Sequence, residues 1–156
     1  MALESLQDLY LEQLKDLHSA ETQIIEALPK MIEQTNHAEL RQAFQKHLAQ
    51  TKEHVSRVEE AFRAAGAEPT AGRSAALAAA LEQHAAQDVK EPTLRDVFHA
   101  TGAARTEHLE LGLYDAVLLL AEGDAAALLQ QNRKDEEDAL TRVQRIAERL
   151  TGELPK

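Results

Sequence analysis

Apolar residues recur at alternating intervals of three and four along four long stretches of the chain, and this spacing limits the fold more than any other feature. It places the apolar side chains on one stripe of an α-helix. Glycine (6) and proline (4) are scarce, so turns are few and the helices must be long. The chain of 156 residues is long enough to close one core. We therefore predict an all-α fold with a single domain over residues 1–156.

The stripes define four long helices and one short one. The predicted long helices are about Ser5–Gln34 with a kink at Pro29, Ala38–Ala65, a third from a cap at Thr93 to Glu122, and a fourth from a cap at Asp124 to Leu150. Between the second and third, an alanine-rich segment at about Ser74–Ala86 is expected to cross the bundle or cover an interface. A loop over Glu68–Arg73 precedes it. The pattern predicts a four-helix bundle with one long crossover that contains a short extra helix.

Charge and composition exclude several classes of function. The net charge of −10 opposes binding to nucleic acid or anionic lipid and is compatible with attracting cations. The chain has no cysteine, which excludes disulfides, iron–sulfur clusters and thiol nucleophiles. Its longest apolar run, AVLLLA, is far shorter than the roughly 20 residues of a membrane span. We expect a cytoplasmic protein that binds neither nucleic acid nor membrane.

Three of the four stripes carry a glutamate near the middle of the helix: Glu21, Glu107 and Glu136. Stripe positions face the partner helices, so these carboxylates should be buried. An unpaired buried carboxylate costs several kcal/mol. A divalent cation offsets that cost, and carboxylates with imidazole suit iron or manganese. The alternative is a set of buried ion pairs, for which Lys52 and Arg105 are the available partners.

Neighbouring residues on the same helices could complete a metal site. Glu110 lies one turn after Glu107, and His54 offers a nitrogen ligand from the second helix. Of the acidic run Asp135–Asp138, only Glu136 falls on the stripe. The predicted metal ligands are Glu21, Glu53, His54, Glu107, Glu110 and Glu136, with His47 and Gln50 supporting them. The remaining histidines, His18, His37, His84, His99 and His108, are expected at the surface or at an interface.

Several short segments occur in the order and spacing of a known family. They are SAETQ at Ser19–Gln23, ALPKM at Ala27–Met31, HL followed by QT at His47–Thr51, EHLEL at Glu107–Leu111, and LL at Leu128–Leu129 followed by DEE at Asp135–Glu137. Together they resemble the YciE/YciF family of bacterial stress proteins, a ferritin-like group related to rubrerythrin-type di-iron bundles. The resemblance implies a four-helix bundle, a homodimer and a ferroxidase-like metal site.

The chain departs from the usual di-iron pattern, in which two helices each carry Glu-x-x-His. No helix here has that motif: Gln50 stands where the family often has Glu, and Ala139 follows Glu136 at the histidine position. A one-metal or degenerate site fits this ligand count better. Two hypotheses follow. The first is oxidation of Fe(II) by oxygen or peroxide, with one or two iron or manganese ions per subunit. The second is a catalytically silent structural or interaction protein that acts as a dimer.

Overall fold

The computed structural model describes residues 2–70, 72 and 74–155. Ala71 and Arg73, in the predicted loop, and the terminal residues Met1 and Lys156 lie outside the described residues. The described part of the chain contains five helices and no strand: α1 Leu6–Gln34, α2 Ala38–Ala64, α3 Ala75–Ala85, α4 Pro92–Leu118 and α5 Gly123–Glu153. The predicted all-α class is confirmed.

Contacts between the helix ends fix the topology. The backbone N–H groups of Asn36 and His37, in the turn between α1 and α2, both donate to the Asp96 carboxylate at 2.8 Å. Asp96 lies in the first turns of α4, so α4 starts at the same end of the bundle as α2. At the opposite end, Gln7 donates to the carbonyl oxygen of Ala65, just past α2. The chain must therefore return along the whole bundle between α2 and α4, which explains the long crossover.

Each long helix packs against two others. α1 and α5 both pack on α2 and α4, while α3 lies over α1 and α4. Leu77 of α3 is buried against them. The start of α3 is held by Ser19 of α1, whose Oγ accepts from the Ser74 backbone N–H at 2.9 Å. The crossover helix thus covers the interface between α1 and α4.

The start of α1 agrees with the prediction, whereas the start of α4 does not. α1 begins as expected, because the Ser5 hydroxyl accepts from the Asp8 backbone N–H at 3.0 Å, and the helix continues through Pro29. α4 is capped by Glu91, whose carboxylate accepts the N–H groups of Thr93 and Leu94, and not by Thr93 itself. Proline follows the cap directly, where its missing N–H costs nothing.

The turn between α4 and α5 also corrects the prediction. α4 ends at Leu118, four residues before the expected Glu122, and Glu122 itself is the N-cap residue of α5. Gly123 opens α5 with φ of 57°, a backbone conformation that favours glycine. Asp124 therefore lies inside the helix, where its charge is favourable next to the first free N–H groups.

The core consists of two apolar layers with a polar layer between them. One apolar layer surrounds Ile24, Phe44 and Ile146, and the other surrounds Leu14, Phe62 and Leu129. The main group of buried ionisable residues lies between these layers, in the middle of the bundle, and has members on all four long helices. Asp96 and His99 are buried separately, near the start of α4. Among the described residues, none of the helices has the length and apolar character that spanning a membrane requires.

Candidate metal centre

Six buried ionisable side chains meet in the polar layer, and each of the four long helices supplies at least one. They are Glu21 of α1, His47 and His54 of α2, Glu107 and Glu110 of α4, and Glu136 of α5. The relative exposure of each residue is 5% or less. The stripe argument predicted this convergence for Glu21, Glu107 and Glu136.

The first group of donor atoms joins α2, α4 and α5. His47, Glu107, Glu110 and Glu136 each place one nitrogen or oxygen within 4.8 Å of the corresponding atoms of the others. His47 Nε2 lies 3.0 Å from Glu107 Oε1 and 3.6 Å from Glu136 Oε2. His47, predicted only to support the ligands, thus lies among them.

The second group joins α1, α2 and α5. Glu21, His54 and Glu136 converge within the same 4.8 Å limit. His54 Nδ1 lies 2.7 Å from Glu136 Oε1 and 3.4 Å from Glu21 Oε2. Glu136 belongs to both groups, and its two oxygens face different histidines. Glu136 is thus the residue that the two groups share.

Most donor atoms of this cluster lack a hydrogen-bond partner within the described residues. Both oxygens of Glu110 and of Glu136 are unpartnered, as are Oε2 of Glu21 and of Glu107. Buried polar atoms are nearly always hydrogen-bonded, and the exceptions need an explanation. Unpartnered carboxylate oxygens that converge beside imidazole nitrogens fit a bound cation.

The donor set matches that of di-iron bundles in composition, although not in its distribution. Those bundles use four glutamates and two histidines, with a Glu-x-x-His motif on each of two helices. Here α4 supplies two glutamates, Glu107 and Glu110, while α2 supplies both histidines, His47 and His54. The cluster therefore contains as many candidate donors as a di-iron bundle, although none of its helices carries the motif.

Burial opposes ionisation of the carboxyl groups. It raises the pKa of Glu107 and of Glu136 to about 7, and the pKa of Glu136 is raised further by the charge of Glu107. The pKa of Glu110 is raised well above its usual value by burial and by the neighbouring carboxylates. Burial alone favours neutral His54, but the adjoining Glu136 and Glu21 outweigh it and raise the pKa of His54 to about 10. Without a cation, the cluster retains protons.

A network of polar side chains holds His54 in place. Its Nε2 lies 3.3 Å from Asp135 Oδ2, and its carbonyl oxygen accepts from Asn132 Nδ2 at 3.1 Å. Arg57 in turn donates to Asn132 Oδ1 at 2.9 Å and to Asp135 at 3.4 Å. A carboxylate on the far nitrogen fixes the ring orientation of a metal-binding histidine. Asp135, expected at the surface, therefore has a defined contact with the centre.

Tyr114 anchors Glu21. Its hydroxyl donates to Glu21 Oε1 inside the protein, and burial raises the pKa of Tyr114 well above its usual value. Tyr114 and Asn132 were not among the residues predicted for the site. The available signal was spacing: Tyr114 is one turn after Glu110, and Asn132 is one turn before Glu136.

Other predicted positions lie outside the cluster. Glu53 is exposed, since it precedes His54 by one residue and is rotated about 100° away from the buried face. Gln50 is half-buried, and its Oε1 is buried without a partner. Lys52 and Arg105, the possible counter-charges, are both exposed. The cations expected in the ion-pair interpretation are thus not where the glutamates are buried.

Two of the remaining histidines form a separate pair. His99, expected at the surface or at an interface, is buried within the chain, and its Nδ1 lies 3.0 Å from His84 Nε2. The half-buried His84 ring stacks on Phe98 with 4.1 Å between centroids. His37 caps α2, while His108 is exposed, as expected.

Comparison with known proteins decides the family. The model of a family described as "Domain of unknown function (DUF892)" matches residues 5–154, nearly the whole chain. The chain belongs to DUF892. Protein YciF of Escherichia coli K12 is 28% identical over 145 residues, which cover 87% of this DUF892 chain and 86% of YciF.

Solved structures agree with the fold. YcfI of Rhodopseudomonas palustris has 29% identity and a TM-score of 0.87, over 90% of this DUF892 chain and 94% of YcfI. The E. coli stress protein YciF has a TM-score of 0.91 with 23% identity, over 97% and 100% of the two chains. A two-domain protein of Anabaena variabilis with DJ-1/ThiJ/PfpI-like and ferritin-like domains has a TM-score of 0.71 with 16% identity, over 98% of this chain and 40% of its own. The predicted ferritin-like fold is confirmed.

Proposed function

We propose that this protein binds two iron or manganese ions at the two donor groups that share Glu136, and that it oxidises Fe(II) with dioxygen or peroxide. The observation that carries the proposal is the buried set of four glutamates and two histidines with unpartnered donor atoms. Oxidation of two Fe(II) by one dioxygen and two protons yields two Fe(III) and hydrogen peroxide. Electrons and protons balance without a side-chain nucleophile.

Charge balance supports two ions over one. Four ionised glutamates carry a charge of −4 in a part of the core from which water is excluded. Two divalent ions neutralise this charge when all four carboxyl groups are ionised, whereas with one ion the centre must keep two of its protons to stay neutral. An uncompensated buried charge costs several kcal/mol. The proposal therefore links the unusual burial to a specific stoichiometry.

The donor chemistry favours iron or manganese over other cations. The cluster offers carboxylate oxygens and imidazole nitrogens, and the chain has no thiolate. Calcium and magnesium prefer oxygen donors, whereas structural zinc sites are rich in cysteine. Imidazole with carboxylate suits iron and manganese. Iron, when bound, supplies the one-electron redox chemistry that dioxygen reduction requires.

Each residue has a defined task in this proposal. Glu136 bridges the two groups, while His54 is oriented by Asp135 so that Nδ1 faces Glu136 and Glu21. Tyr114 holds Glu21 through its hydroxyl. Glu110 keeps a proton in the metal-free protein and must lose it to become a ligand, so metal binding releases protons.

The test is an anaerobic Fe(II) titration of the metal-free protein followed by exposure to air. We expect two Fe(II) per chain and oxidation faster than in protein-free buffer. Glu136→Gln should abolish both, because its carboxylate serves both groups. Glu137→Gln, a change of the same kind at the exposed neighbour, should behave like the wild type. Absence of bound metal and no oxidation above buffer would refute the proposal.

The alternative function is a catalytically silent structural or interaction protein acting as a dimer. The observation in its favour is Ala139, which leaves Glu136 without the histidine of the di-iron motif. This alternative accommodates metal binding that stabilises the fold without iron oxidation. Two bound Mn(II) or Fe(II) per chain, a raised melting temperature and no catalysis would favour it. Sedimentation analysis would test the dimer independently.

A further inference from the structure

Small side chains surround a cavity of about 30 Å³ in the core. Five alanines and a glycine contribute to its lining: Ala27, Ala43, Ala80, Gly102, Ala103 and Ala139. A cavity needs only about 10–15 Å³ to hold one water molecule, but water also needs two to four polar partners. Polar residues also border the cavity, but they turn mostly apolar surface towards it: His47, His84, Arg105, Thr106, Glu107 and Arg142. The space therefore suits a small apolar molecule better than water.

The cavity reaches the candidate metal centre. His47 and Glu107, two members of the first donor group, also line the cavity. Ala139 lines it one turn beyond Glu136, at the position where the di-iron motif has a histidine. An imidazole there would occupy space that the alanine leaves open. The departure from the motif thus creates room beside the first donor group.

On the other side, the cavity adjoins a surface groove of about 530 Å³. Four residues line both spaces: Ala27, Met31, Leu81 and His84. These side chains therefore form a wall that the groove and the cavity share. His84 is held by its stacking on Phe98 and by its contact with His99. The crossover helix α3, which supplies Leu81 and His84, therefore forms part of the boundary.

We infer that this cavity binds dioxygen and delivers it from the groove to the first donor group. The inference rests on the proposed function, because that function requires an oxidant. The cavity is the place where we expect the oxidant to bind. Dioxygen is small and apolar, so an apolar cavity accommodates it without unmet hydrogen bonds. A hydrated metal ion would lose its water ligands in such a passage, so the oxidant and the metal reach the centre by different routes.

Xenon is the probe for the site, because it occupies dry apolar cavities. Crystals of the metal-free protein under xenon pressure should show an anomalous scattering peak between Ala80, Ala103 and Ala139. Ala80→Leu should remove that peak by filling the cavity from α3, which holds none of the proposed ligands. Ala79→Leu is the matched control, since it makes the same change at the exposed neighbouring residue. Ala27→Val provides a second filling variant from α1.

Kinetics then test whether the occupant is the oxidant. In Ala80→Leu and Ala27→Val, Fe(II) should bind as in the wild type, while its oxidation should slow and require a higher dioxygen concentration for half-maximal rate. The control should retain the wild-type rate. No xenon in the cavity, or unchanged oxygen dependence in both filled variants, overturns the inference. A xenon peak in a protein that does not oxidise Fe(II) would overturn both the dioxygen role and the proposed function, whereas normal oxidation without xenon would overturn the inference alone.

Discussion

His54 Nδ1 and Glu136 Oε1 lie 2.7 Å apart in the middle of the bundle without the alignment of a hydrogen bond. The other ring nitrogen faces Asp135. In the metal-free protein a proton on Nδ1 makes this contact favourable, because the pKa of His54 is raised to about 10, and a bound cation would take the place of that proton. Donors at right angles on an ion with bonds of about 2.1 Å are themselves about 3.0 Å apart. The observed separations fit convergent ligands.

The two donor groups can be separated by substitution. Glu21→Gln alters only the second group, and Glu107→Gln alters only the first. We expect each variant to bind one Mn(II) per chain where the wild type binds two, because an uncharged amide is a weak ligand. Equilibrium dialysis with metal analysis measures the stoichiometry. Glu53→Gln, at the exposed position, should leave it at two, and loss of both ions in either single variant would contradict independent groups.

Glu110 should show a trade-off between stability and metal binding. Both of its carboxyl oxygens are buried without partners, so Glu110→Gln removes a group that is costly to ionise. We expect the metal-free variant to be as stable as the wild type or more stable. The stability that Mn(II) adds should be smaller in the variant. In the wild type, Mn(II) at 100 times its dissociation constant adds about 2.7 kcal/mol to the free energy of unfolding. Urea denaturation with and without Mn(II) measures both quantities, and an undiminished gain in Glu110→Gln would exclude it as a ligand.

Asp135 should act on the centre through His54. Removing such a carboxylate partner typically lowers metal affinity by about 10–100-fold. We expect Asp135→Asn to weaken Mn(II) binding within that range while leaving the stoichiometry unchanged. Asp138→Asn, at an exposed position of the same acidic run, is the control. Equal affinities in the two variants would show that the His54 contact has no influence on the metal.

The stripes predicted the bundle well because burial follows helical periodicity. On α5 the positions at alternating intervals of three and four from Leu129 to Leu150 are all buried. The stripe reasoning failed locally in the middle of α2, where the apolar Leu48 and Val55 are only half-buried and their neighbours His47 and His54 are buried. It assumed that apolar residues mark the buried face. That assumption fails where a buried site requires polar residues.

The chemistry of the site was less accessible from the sequence than the fold. Glu21, Glu107 and Glu136 could be located because a single glutamate interrupts each apolar stripe. The link between His54 and Asp135 joins residues 81 positions apart on different helices. No local pattern encodes such a pairing, and only the packing of α2 against α5 reveals it. Glu53 was predicted as a ligand together with His54, although adjacent helical residues point in different directions.

The metal-free protein should lose stability as the pH rises from about 6.5 to 8.5. The folded-state pKa values of Glu107 and Glu136 are raised to about 7 and that of His54 to about 10, so the folded state holds more protons than the unfolded state here. Stability falls with pH wherever that holds, by about 1.4 kcal/mol per pH unit for each extra proton. Urea midpoints of the chelated protein measure the trend.

Two controls separate this effect from others. The pKa of His84 is lowered to about 4, mainly by burial, and its opposite contribution ends near pH 6.5, below the chosen window. Glu136→Gln should flatten the slope because it removes one titrating carboxyl group and part of what raises the pKa of His54. Saturating Mn(II) should oppose the trend, since the metal displaces those protons. Stability that rises with pH in the chelated wild type would contradict the assignment.

The effects of substitutions at Gly102 and His84 on stability should depend on each other. A Cβ added at Gly102 would lie 2.4 Å from the His84 ring, so Gly102→Ala must displace the imidazole from Phe98 and His99. Overpacking of this kind costs about 1–3 kcal/mol, whereas alanine in place of glycine within a helix gains roughly 0.5–1 kcal/mol. We expect Gly102→Ala alone to destabilise the protein. In a His84→Ala background the clash is absent, and the same substitution should become stabilising. A double-mutant cycle by urea denaturation measures this reversal, and equal effects in the two backgrounds would show that the ring does not occupy this place beside α4.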